Sequence, residues 1–106
     1  MPALRAPVVY SVAASTVGAV PGGFYRADAT AGPVTVNLPI AAMTQPGYRI
    51  FVKKVDASAN TVTVAAAAGD SVDGVATNVL SNLNQCHEYH PGTPAGSVYG
   101  QGWMSF

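Results

Sequence analysis

Charged side chains are scarce in this sequence. They make up 9% of its 106 residues, against about 25% in an ordinary soluble domain. Arg5, Arg26, Arg49, Lys53 and Lys54 are balanced by Asp28, Asp56, Asp70, Asp73 and Glu88, so the formal net charge is zero. No cationic excess is present to neutralise a run of phosphates, which argues against nucleic acid as a partner. A surface this poor in charge favours association, so copies of the chain or a larger assembly are expected to cover much of it. Cysteine is equally scarce: Cys86 stands alone and allows no intramolecular disulfide. No stretch of ~18–20 consecutive apolar residues exists to form a membrane-spanning helix. A secretory leader is also not expected. Val8 to Ala14 is its only candidate apolar segment, and Tyr10 and Ser11 interrupt it. The length suits one domain, residues 1–106, with a thin core.

What the sequence does contain is valine, threonine and punctuation. Eight prolines and eleven glycines break the chain into short segments, and β-branched residues favour a pleated, half-buried surface. Alternation is strict in 33–38, where Val34, Val36 and Leu38 share a face opposite Thr35 and Asn37. In 48–55, Tyr48, Ile50, Val52 and Lys54 lie opposite Arg49, Phe51, Lys53 and Val55, and Asn60 to Val64 alternates again. Turn-forming residues 56–60 join these two segments, which predicts a hairpin. Further strands are expected at Val8–Val12, Phe24–Ala27, Ala76–Leu80, Gln85–His90 and Val98–Met104, with Val72 pointing inward from the corner 69–74 and one helical turn at most in 39–44. Residues 91–96 read as a loop. The fold class is all-β: a small sandwich or barrel-like fold of short antiparallel strands. No long internal repeat is visible. Residues 1–30 read either as an extended arm reaching a neighbouring subunit or as an edge strand with loops.

Chemistry-bearing residues are few. Cys86-His-Glu-Tyr-His90 is the densest set of potential ligands. On a strand, however, His87 and His90 point to opposite faces, and no other histidine exists to complete a zinc tetrahedron within one chain. No metal and no cofactor is expected. Asp70 and Asp73 flank a turn without the alternating oxygens of a calcium loop, and aspartate beside glycine is ordinary turn chemistry. Cys86 is expected to be buried and, on the face opposite His87, not positioned for activation. An enzyme built on Cys86, His87 and Asp70 is therefore not expected. The aromatic residues Tyr10, Phe24, Tyr25, Tyr48, Phe51, Tyr89, Tyr99, Trp103 and Phe106 either fill the core or anchor an interface. Tyr89, Tyr99, Trp103 and Phe106 are the candidate interface residues, because a chain end rich in large apolar side chains is expected to be docked.

The stretch 33–39 (PVTVNLP), then 47–64 (GYRIFVKKVDASANTVTV), then Gly69-Asp-Ser-Val-Asp-Gly74 and the closing Gly102-Trp103 resembles a small β module of tailed-bacteriophage virion proteins. That module occurs in head decoration (cement) proteins and in tail-fibre or appendage proteins. The resemblance covers residues 33–106. It departs from the pattern at 84–90 (NQCHEYH), where the module has an apolar alternation and a Ser-Asp-Gly turn. It implies a virion protein made in the host cytoplasm, most simply a capsid decoration protein and a homotrimer. Its partners would be further copies of itself and a major capsid or other virion protein, with no nucleic acid and no membrane. The alternative is a tail appendage or receptor-binding tip that contacts host glycans through Trp103 and Tyr99.

Overall fold

The computed structural model describes residues 8–41, 44, 48–92 and 102–106. They form nine strands: β1 (Val8–Ala13), β2 (Thr16–Gly18), β3 (Gly23–Asp28), β4 (Val34–Asn37), β5 (Ile50–Lys54), β6 (Val62–Ala65), β7 (Thr77–Leu80), β8 (Cys86–Gly92) and β9 (Gly102–Ser105). The protein is all-β, built as a five-stranded sheet in the order β1-β3-β5-β8-β9 and a four-stranded sheet in the order β2-β4-β6-β7. Between the sheets lie Tyr25, Ala27, Val34, Val36, Ile50, Val52, Val62, Val64, Leu80, Tyr89 and Trp103. The alternating valines thus face inward as their periodicity requires. Val72 is wholly buried.

The expected antiparallel arrangement is only partly present. From β1 to β6 the chain crosses from one sheet to the other at every step, so β1, β3 and β5 pair in parallel, as do β2, β4 and β6. Each pair of crossings makes one coil, and three coils stack. Antiparallel pairing is confined to β6–β7, β5–β8 and β8–β9. The predicted hairpin between β5 and β6 does not form. Two alternating strands bury the same residues whether they pair side by side or face each other across a core, so alternation cannot distinguish the two cases.

Here the polar residues of the 55–61 connection bond to the connection below it. Asp56 Oδ1 accepts the Ala29 N–H (2.8 Å), Ser58 Oγ and Asn60 Nδ2 donate to the Ala29 carbonyl (3.1 and 2.8 Å), and Val34 N–H donates to Thr61 O (3.1 Å). Lys54 follows the inward face of β5 and is wholly buried. Its ammonium donates to Asp56 Oδ2 (2.7 Å), Asp56 O (3.0 Å) and Ser58 O (3.2 Å), so all three of its protons have acceptors. The repeat that sequence inspection missed is the stacked pair Val34-Thr-Val36 and Val62-Thr-Val64. Val8 lies against Gly23 but Phe24 against Phe51. The coils are of unequal length, so no fixed period appears in the sequence.

One end of the stack is closed. The corner 71–75 runs along the outer edge of β9: Trp103 N–H donates to Ser71 O (2.7 Å), Asp73 N–H donates to Trp103 O (2.8 Å), and Asp73 Oδ1 accepts the Ser105 N–H (3.1 Å). Gly102 allows this approach, since a Cβ there would sit 3.0 Å from the Ser71 carbonyl oxygen. Asp73 and Gly74 turn the corner with φ of 50° and 86°. Residues 8–28 belong to the two sheets, with β1 and β2 at their edges. The possible arm thus reduces, among the described residues, to edge strands and loops, and residues 1–7 lie outside them. Residues 93–96 of the expected loop and 98–101 of the expected last strand also lie outside, while Pro91 and Gly92 belong to β8.

Tyr89 carries one unfavourable feature. Its ring is fully buried, and its hydroxyl has no hydrogen-bond partner among the described residues. A buried unsatisfied hydroxyl costs about 1–3 kcal/mol, so Tyr89→Phe is expected to hold or raise the urea midpoint. A clear loss of stability in that variant would show that the hydroxyl has an ordered partner.

Candidate functional site

No group of three or more metal-ligating side chains occurs among the described residues. A shallow recess of about 230 Å³ is lined by Ser11, Val12, Ala13, Arg26, Asp28 and Val55. The outer faces of the two sheets are the candidate site. On the outer face of the five-stranded sheet, one row runs Val9, Phe24, Phe51, Glu88. Phe24 and Phe51 stack with centroids 5.7 Å apart. Phe106 joins the row through reciprocal backbone hydrogen bonds with Glu88 (3.0 and 2.9 Å) and is 67% exposed. Glu88 forms an ion pair with Arg49 Nη1 (3.2 Å), its Oε1 lies 3.0 Å from His90 Nε2, and His90 meets the Phe106 ring edge-on at 4.8 Å. The next row, Ser11, Arg26, Lys53, Cys86, sets two cations side by side.

The outer face of the four-stranded sheet is different. Its rows are Thr16, Thr35, Thr63, Val79 and Gly18, Asn37, Ala65, Thr77. They carry no charge and no large side chain.

Of the four expected interface residues, Tyr89 and Trp103 are wholly buried within the chain and present no surface to a partner. Burial holds the Tyr89 hydroxyl far above its usual range, with Cys86 and Asp73 adding to the effect. Trp103 Nε1–H donates to Pro39 O (3.2 Å), tying the start of the β4–β5 connection to β9. Tyr99 lies outside the described residues. Phe106 is the one that sits on an exposed face. Sequence reasoning ranked Phe24 and Phe51 with all other aromatics. Their shared outward position depends on the coil register, which only the fold supplies.

Cys86 is exposed, contrary to expectation. Partial desolvation pushes its thiol above the ordinary value, with Lys53 pulling it down and Glu88 pushing it up, so the thiolate is minor at neutral pH. His87 lies on the other face of β8, beside Tyr89 (ring centroids 6.3 Å apart), as the alternation required; Gln85 Nε2 is 3.3 Å from its Nε2, and its buried Nδ1 has no partner among the described residues. Asp70 and Asp73 serve remote segments rather than their own turn: Asp70 Oδ2 accepts the Ala41 N–H (2.8 Å), and Asp73 accepts from Ser105.

The class defined by this geometry is an all-β protein of two mixed sheets. No protein-family model matches the chain, and a search of curated proteins found no match.

Proposed function

We propose that the chain is a structural virion protein of a tailed bacteriophage, a decoration (cement) protein that binds and stabilises the head shell. The observation that carries this reading is the uncharged outer face of the four-stranded sheet. Eight uncharged positions on one sheet face can be covered by another protein without desolvating an ion. The sequence resemblance across residues 33–106 supports it from a separate direction. The mechanism is passive: binding the assembled shell and not its dissociated subunits stabilises the shell by mass action. Self-association, expected as a homotrimer, lets several modest contacts act together. No catalytic step is part of the proposal.

The alternative, a tail appendage or receptor-binding tip, would need a glycan platform other than Trp103, whose ring is buried. Among the described residues, Tyr10, Tyr48 and Phe106 are the exposed aromatics left for it, with the half-buried Phe24 and Phe51 beside Phe106. Co-sedimentation with undecorated phage heads tests the proposal. Saturable binding at hundreds of copies per head, with a higher temperature of shell disruption, is the expected result. Failure to bind heads, combined with binding to host surface glycans, would replace it with the alternative.

A further inference from the structure

The two ends of the coil stack are unlike. At one end the corner 71–75 covers the β9 edge, and the inward-facing Val72 and Trp103 are wholly buried. At the other end lie β1 and β2, and no described residue pairs with their outer edges. Tyr10 stands on the inward face of β1, stacked on the buried Tyr25 at 4.9 Å, yet it is 37% exposed, and no described strand lies beyond it. Natural sheet edges are usually protected by charge, proline or a bulge. β1 (VVYSVA) and β2 (TVG) have no charge and no proline, and β1 keeps unbroken register with β3 over six residues.

We infer that this open end docks a second copy of the chain, β1 against β1 in antiparallel register about a two-fold axis at Ser11. The backbone of an unpaired edge selects a strand as its occupant, and three features select the same chain. The neutral strands meet without repulsion. The pleats match: Tyr10 falls opposite the partner's Val12, an aromatic against a β-branched residue, while outward Val9 falls opposite the partner's Ala13. A two-fold perpendicular to the sheets also brings β2 beside its own copy, so one operation covers the edges of β1 and β2 and leaves the corner-covered β9 edge and the β7 edge outward. A head-to-tail arrangement would leave edges free to propagate into fibres. This deepens the self-association part of the functional reading, and it requires an even number of copies. Trimers joined by this contact would contain six.

The test uses the free chain, so its outcome is separate from head binding. In Ser11→Cys combined with Cys86→Ala, residues 11 of two copies face each other at disulfide distance. Mild oxidation should give a covalent dimer in high yield, and the wild type, whose Cys86 is exposed, should not. Light scattering should give an even multiple of 10.8 kDa for the wild type. Ser11→Arg should weaken the pairing by roughly 100-fold, with the circular dichroism unchanged. Cross-linking no better than that of the wild type, or an odd number of copies, overturns the inference. Should Ser11→Arg fail to fold, the cysteine variant decides alone.

Discussion

Lys54→Met is expected to lower the stability of the isolated chain by about 3–5 kcal/mol, the cost of removing one partner from a buried ion pair. Domains of this size have only ~5–15 kcal/mol in total, so the variant should stand close to unfolding at 37 °C. Methionine matches lysine in length and apolar stem, so packing is largely kept. What is lost is the ammonium and its bonds to three oxygens, Asp56 Oδ2, Asp56 O and Ser58 O; Asp56 Oδ2 keeps the Ser58 N–H and hydroxyl as donors but loses its counter-charge. Asp56 is itself the bracket between two coils, because its other oxygen accepts from Ala29. Urea unfolding followed by the fluorescence of the single tryptophan measures the effect. A loss below about 1 kcal/mol would mean that the pair is no better than an exposed salt bridge.

The same network predicts an acid limb. The Lys54 ammonium, followed by Ser58, holds the Asp56 carboxyl well below the usual carboxylate range. A folded pKa below the unfolded one contributes stability that is complete above the ordinary value of ~4 and is lost as pH falls below it. Wild-type stability should therefore be flat from neutral pH to about 4 and decline beneath. Lys54→Met should show a smaller decline, since the cation that holds the carboxyl down is gone.

Trp103→Ala is expected to cost a similar amount, about 3–5 kcal/mol, through the cavity left by a fully buried ring. The Pro39 carbonyl also loses its indole donor, at 3.2 Å in the native chain. The backbone of Trp103 bonds the corner on both sides, to Ser71 and Asp73, so the closed end should loosen with the core. Trp103→Phe separates the contributions: it keeps most of the apolar volume and loses the donor, and should fall between wild type and alanine. Circular dichroism against urea is the measurement, because the fluorophore is removed. An alanine variant with an unchanged midpoint would show that this ring contributes nothing to the core.

These expectations rest on features of unequal legibility. The inward valines of β4 and β6, the inward Val72 and the opposite facing of His87 and His90 follow from a period of two, which is local. Lys54 also falls on the inward face by that period, but a charged residue is not placed in a core until its acceptors are known, and those are built by the 55–61 connection. Whether β5 pairs with β6 or faces it depends on bonds to Ala29, far away in sequence. Trp103 and Tyr89 fit a core or an interface equally well by type, and the coil stack decided for the core. The outward row of Phe24, Phe51 and Phe106 is set by strands brought together from distant parts of the chain.

The winding of β1 to β6 also governs how the chain reaches its fold. Each parallel pair is separated in sequence by a strand belonging to the opposite sheet, so none can zip from a local turn. Strands adjacent in both sequence and sheet occur only at β6–β7 and β8–β9 among the described residues. Closure of long loops precedes any gain from parallel pairing, which makes such folds slow for their size. The antiparallel C-terminal part is therefore expected to order first. During synthesis the N-terminal coils leave the ribosome before the strands that can nucleate them, and they wait unpaired with their uncharged strands exposed.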